Sequence, residues 1–241
     1  MTWGSFGIVH ITSLVLAAAM IVLLYVLLRK AARRVQTAVL GVLSFSGIAA
    51  ILFNLLTWGS PLEYLPLHLC SINALLLPIV VFTRNKRLGN LLLVWCLGAL
   101  AALVVNTAQA EYELLSWTFF FYFFPHVLEF GIPILLFSLG LVEKDPKCIL
   151  STIVITMAIY TGVHFCNVGL NAYLAANNVL DCAGDLIQVN YMYSICPENP
   201  LLDLFYRVIP CPYWYMYMIV PILLVYLSIV YLPQILAKRK K

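Results

Sequence analysis

Seven times in 241 residues, an apolar stretch of about twenty residues is closed off by a polar connection. About twenty is the number a helix needs to cross the hydrocarbon of a bilayer. The stretches run approximately Ser5 to Leu28, Thr37 to Trp58, Leu65 to Thr83, Leu88 to Asn106, Trp117 to Val142, Ile149 to Leu174 and Tyr213 to Leu236. In lipid the backbone must satisfy its own hydrogen bonds, which leaves helices and closed barrels. A barrel would show alternating segments of about ten residues, and these are absent. Only 10% of the chain is charged and 63% is hydrophobic, with mean hydropathy +0.98. A soluble domain carries about a quarter charged residues. The fold class is therefore all-α, a polytopic seven-transmembrane helix bundle. No basic segment precedes the first stretch and no small-residue cleavage site follows it, so it is expected to remain as a helix. Residues 1–241 are expected to form a single domain without a convincing internal repeat, beyond the weak 3+1+3 symmetry that seven spans could hide, and with one long outer connection at about 175–212.

Charge gives the orientation. Arg29, Lys30, Arg33 and Arg34 follow the first stretch, Arg84, Lys86 and Arg87 the third, Lys144 and Lys147 the fifth, and Lys238 to Lys241 the last. The alternate connections carry Glu63, then Glu111 and Glu113, then Asp181, Asp185, Glu198 and Asp203, with Arg207. Basic residues favour the cytoplasmic side, so the N-terminus is expected outside and the C-terminus inside. The net charge of +4 reads as topology and does not point to nucleic acid.

All four histidines, His10, His68, His126 and His164, fall in or at the edge of these stretches. At 1.5 Å per residue, His10 and His68 lie about 5 to 8 Å below the outer boundary, and His126 and His164 about 13 to 15 Å. All four occupy the outer half of the bilayer. Polar residues there are costly and serve either as interhelical hydrogen-bonding glue or as a site. Their confinement to one half suggests a polar chamber open to the outside. Tyr122, His126 and Glu129 share one helix face, flanked by Pro125 and Pro133, which are expected to loosen that helix. Tyr160, His164, Asn167 and Asn171 form a second polar stripe; His10 with Ser13, and Asn106, add to the wall.

Cys70 and Asn73 share a face at i, i+3, whereas His68 and Cys70 on one helix would point apart. A nucleophilic Cys70 needs a base from another helix. His126 is the best equipped, with Glu129 to orient it as a third member. Asn73 or Asn106 would hydrogen-bond a developing oxyanion. Cysteine is also a comfortable small apolar core residue, and that reading stays open for Cys70.

The runs LPLHLCSINALLLPI (65–79), FFPHVLEFGIPILLFSL (123–139), VNYMYSICPENPLLDL (189–204), PYWY (212–215) and FGIVHITSL (6–14) resemble the YwaF family of small membrane proteins. The resemblance spans the chain in order, and NYM…LLD, which contains Asn190, is its most specific part. It implies a relation to eukaryotic cysteine-dependent transmembrane phospholipid acyltransferases. It further implies a nucleophile at Cys70 and a histidine partner at His126. The function so implied is transfer of a fatty-acyl group between lipids through a cysteine thioester, with membrane phospholipid or lysophospholipid as partner and no cofactor or metal. The expected location is the cell membrane, as a multi-pass protein. His68, His10, His164, Asn167 and Asn190 are expected to line the substrate chamber with Asn73 and Asn106.

Two other classes remain open. One is a metal-dependent membrane lipid hydrolase, against which stands the apparent need for a different helix to supply every ligand. The other is a non-enzymatic receptor or transporter; the nearly wholly apolar inner halves argue against through-transport. In the outer connection Cys182, Cys196 and Cys211 face the oxidising side, where one disulfide among the three is expected. That connection is rich in Tyr, Leu and Phe, which suits an interfacial lid or a structured cap. Cys96, Cys148 and Cys166 read as packing.

Overall fold

The computed structural model describes residues 1–58, 61–105, 109–181 and 183–239. Among these residues there is no strand, only two isolated β-bridges, Thr2 with Glu113 and Leu180 with Leu186. The helices fall into two compact units, Met1–Ala50 with Leu69–Lys144, and Ile51–His68 with Asp145–Lys241.

The first unit holds α1 (Ile8–Leu28), α2 (Arg33–Ser44), the start of α3 (Ser46–Thr57), α4 (Leu69–Thr83), α5 (Lys86–Val104) and α6 (Trp117–Ser138). On α1 the buried residues are His10, Ser13, Ala17 and Leu28, while Ile11, Val15, Leu16, Val22, Leu23 and Leu27 are exposed. Small and polar groups inside with branched aliphatics outside is the reverse of a water-soluble helix. It is the arrangement lipid favours, where packing and interhelical hydrogen bonds drive association. α5 is the innermost element, with every residue from Gly89 to Cys96 buried, and it packs against α4 and α6.

Two expected spans differ in detail. The stretch Thr37 to Trp58 is two helices that break at Phe45. Ser44 donates its hydroxyl back to the Gly41 carbonyl at 2.7 Å, a local bond that competes with helix continuation. Across the break, Gly41 lies against the Phe82 ring and Gly47 against Ala74 and Glu129. The third stretch becomes helical only at Leu69, after a 3₁₀ turn at Pro61–Tyr64. Pro66 disfavours the α conformation at Leu65, and α4 begins only at Leu69, so that His68 precedes it and does not share its helix with Cys70. α6, by contrast, runs unbroken through Pro125 and Pro133.

At the basic end of this unit, Arg84 donates to Thr37 Oγ1 at 2.8 Å and ties α2 to the α4–α5 turn. Asn85 caps α5 by accepting from the Leu88 amide at 3.1 Å. Asn90 is fully buried and donates to the Glu143 carbonyl at 3.1 Å.

The second unit contains the rest of α3, α7 (Cys148–Ala176), α8 (Pro200–Val208) and α9 (Ile219–Arg239). α7 packs against α9, and at 29 residues it extends about 44 Å, longer than a hydrocarbon core is thick. The long connection is structured. α8 starts at Pro200 with Asn199 accepting from the Leu202 amide at 3.0 Å, the usual place for proline. It buries Leu202 and Phe205 against Tyr215.

Six helical segments among the described residues are long and apolar enough to cross a membrane; Leu69–Thr83 is apolar but shorter.

Candidate active site

The first turn of α4 and the middle of α6 bring Cys70, His126 and Glu129 together. Cys70 Sγ, a ring nitrogen of His126 and a carboxylate oxygen of Glu129 all lie within 4.8 Å of one another. Cys70 and His126 are partly buried, and Glu129 is buried.

One hydrogen bond sets the state of the imidazole. His126 Nδ1 lies 2.6 Å from the Tyr122 carbonyl oxygen. A carbonyl only accepts, so Nδ1 carries the proton and Nε2 keeps its lone pair. Tyr122 is itself held, donating its hydroxyl to the Ala102 carbonyl at 2.7 Å, with its ring 4.4 Å from the imidazole. The orienting partner of His126 is thus a backbone carbonyl one turn back, and not the Glu129 carboxylate that the sequence put forward. The reason is directional: helical side chains lean toward the preceding turn, which places Nδ1 over the i−4 carbonyl.

Several buried polar atoms have no hydrogen-bond partner. Asn73 is fully buried, and neither its Oδ1 nor its Nδ2 is paired; Glu129 Oε2 is likewise unpaired. Native interiors pair nearly all such groups, and an exception calls for a functional account. Asn73 shares the face of α4 with Cys70, as its i, i+3 spacing requires.

Gly47 determines how closely α3 approaches. A Cβ built on it would stand 2.5 Å from Ala74 Cβ and 2.9 Å from Glu129 Oε1. Sequence reading missed Gly47, although Ser44, Ser46 and Gly47 interrupt an apolar span.

The other expected chamber residues make the following contacts. His10 is fully buried with both ring nitrogens engaged: Nδ1 accepts from the Phe6 amide at 2.9 Å, and Nε2 donates to the Leu103 carbonyl at 2.8 Å. Its ring packs edge-on against Trp3. Asn106 lies outside the described residues. His68, His164, Asn167 and Asn190 belong to the second unit. His68 stacks edge-on against Tyr191, and its Nδ1 faces the Met192 amide at 3.4 Å. Asn190 donates to the Cys196 carbonyl and to Glu198, and accepts from the Ile195 amide.

Asn167 and Asn171 act as a substitute strand edge. Asn171 exchanges hydrogen bonds with both the amide and the carbonyl of Val189. Asn167, one turn away, does the same with Tyr191 at 3.0 and 2.8 Å, and also donates to Ser194 Oγ at 2.8 Å. Helix residues at i, i+4 thereby pair with loop residues at i, i+2, which satisfies a buried, irregular backbone. The buried Ser194 hydroxyl lies 3.1 Å from His164 Nδ1. Asn167→Ala would leave the Tyr191 amide and carbonyl unpaired, at an expected cost of about 2 to 4 kcal/mol. A lowered unfolding midpoint in detergent, with faster proteolysis of the 177–199 loop, is the check.

Tyr191 donates its hydroxyl to the Leu62 carbonyl, and burial pushes its phenol up to about 12. Burial, and then the Glu198 carboxylate, push the Cys196 thiol above its ordinary value. Cys196 and Cys211 are free thiols here, and Cys182 lies outside the described residues. Cys96 and Cys148 are packing residues as expected, but Cys166 is exposed on α7.

No curated protein and no solved structure matches this chain. The model of the TMEM164 family matches residues 5–231, nearly the whole sequence. An all-helical chain with several membrane-length apolar helices and that match is a multi-pass membrane protein, and it belongs to the TMEM164 family.

Proposed function

We propose that this protein moves a fatty-acyl group between membrane lipids through a thioester on Cys70. The observation that carries the reading is the Cys70–His126–Glu129 cluster, with the imidazole locked by the Tyr122 carbonyl so that a basic nitrogen is left for the thiol. The resemblance to the YwaF family and its acyltransferase relatives points to the same two residues.

In the first half-reaction His126 Nε2 takes the Cys70 proton, and Sγ attacks the ester carbonyl carbon of a donor lipid. The tetrahedral oxyanion is met by the Asn73 amide, whose Nδ2 has no partner in the free protein. The ester C–O bond breaks and the leaving alkoxide takes the proton from His126, releasing a lysolipid. In the second half-reaction the hydroxyl of an acceptor lipid gives its proton to His126 and attacks the thioester. The S–C bond then breaks and the thiol is restored. Water in place of the acceptor would give hydrolysis.

The chain crosses the membrane seven times in this reading, counting α2 with α3 as one span and including the short α4. Its N-terminus is outside and its C-terminus cytoplasmic, from the basic connections. That places Cys70 near the ester bonds of the outer leaflet of the cell membrane.

The test is intact-mass measurement of the protein after incubation with mixed phospholipids, beside Cys70→Ala. An added acyl mass on the wild type alone supports the thioester, and the retained chain names the donor. No adduct together with unchanged product lipids sinks the reading.

A further inference from the structure

The same cluster is a metal-ligand set. In a tetrahedral zinc site the donors lie 2.0 to 2.3 Å from the ion and hence about 3.5 Å from each other. The three donor atoms here, all within 4.8 Å of one another, reach that spacing by small side-chain rotations. The sequence argument against a metal was that each ligand would need its own helix. The structure takes two of the three from α6, His126 and Glu129 at i, i+3, and one from α4.

Two further observations support a bound ion. His126 donates Nδ1–H to a backbone carbonyl at 2.6 Å, which is how a metal-binding histidine is commonly oriented. The buried Glu129 Oε2 and Asn73 Oδ1 accept no hydrogen bond, and an ion would supply the missing partner. Thiolate, imidazole and carboxylate together suit zinc, because a soft sulfur donor is foreign to magnesium and calcium sites.

We propose that Cys70 Sγ, His126 Nε2 and a Glu129 carboxylate oxygen bind a zinc ion, and that this occupancy silences the thiol. Binding forms an S–Zn bond, releases the thiol proton to solvent and transfers no electrons. The fourth position remains for Asn73 Oδ1 or a water. A chelator removes the ion and restores the thiol. The silencing clause rests on the thioester reading; the metal site itself does not.

The experiment uses the full-length protein purified in detergent and freed of metal. Cobalt(II) is added first, then zinc. The expected result is one cobalt per chain with a near-ultraviolet sulfur-to-cobalt band, displaced by zinc and absent in Cys70→Ser. Glu129→Gln weakens binding by about tenfold or more. On the wild type alone, zinc suppresses maleimide labelling of Cys70, read on its own peptide, and EDTA restores it. That labelling needs no variant to fold. The proposal is overturned by a missing band with no protection, or by a band that Cys70→Ser retains. An acyl adduct without cobalt binding would keep the thioester and remove the metal; cobalt binding without an adduct would do the reverse.

Discussion

On the proposed thioester mechanism, Cys70→Ala and His126→Ala are each expected to abolish the acyl-enzyme and to lower lipid-to-lipid transfer by about 10⁴-fold or more, with the double variant no worse than either alone. Nucleophile and base act as a unit, so removing one removes most of what the pair contributes. The geometry makes a sharper statement about Glu129. If the imidazole is oriented by the Tyr122 carbonyl at 2.6 Å, no substitution at position 129 removes that support. Glu129→Gln therefore loses far less activity than His126→Ala. Tyr122→Phe keeps the carbonyl and loses the hydroxyl bond to Ala102, so it stays close to wild type in rate while its stability falls by about 1 kcal/mol. Single-turnover transfer with a labelled phospholipid, run on the four single variants and the double variant, orders them. A Glu129→Gln rate as low as that of His126→Ala would show that the carboxylate, and not the carbonyl, holds the base.

The second large effect comes from Gly47→Ala. The new methyl would stand 2.5 Å from Ala74 Cβ. Both atoms are fixed to their backbones, so no rotamer change relieves the overlap. α3 must move away from α4, and Glu129 Oε1, 2.9 Å from the same position, must move as well. Overpacking of this kind costs about 1 to 3 kcal/mol. The expected result is a lower unfolding midpoint in detergent together with weaker cobalt binding at the Cys70 cluster, because one of its ligands has shifted. Adding Ala74→Gly to Gly47→Ala removes the clashing methyl. The double variant recovers stability to within about 1 kcal/mol, the helix cost of the new glycine. Contacting residues are where such coupling is found. Two independent losses that simply add would show that the two backbones do not meet as described.

His126 and Glu129 were legible because a 3.6-residue period puts them one above the other on any helix. Cys70 with Asn73 followed from the same rule. His68 was misplaced because the stretch opens with a 3₁₀ turn at Pro61–Tyr64 and the α-helix begins only at Leu69. The asparagines of α7 looked like chamber residues, because a buried amide in an apolar helix has the same sequence signature whether it meets a ligand or a loop. The structure commits Asn167 and Asn171 to the backbone of residues 189–191, a partner some twenty residues away that no periodicity could name.

By itself the sequence determined the solvent. Sixty-three per cent hydrophobic residues in about twenty-residue runs satisfy their backbone as membrane helices, and the basic connections carry the expectation of how those helices are oriented. Both are properties of single segments, additive along the chain. The tertiary structure alone decided that Cys70 of α4 meets the His126–Glu129 pair of α6, and that Gly47 of α3 sits against Ala74 and Glu129. These depend on ångström-scale approaches between helices far apart in sequence, and packing of that kind is fixed only when every neighbour is in place.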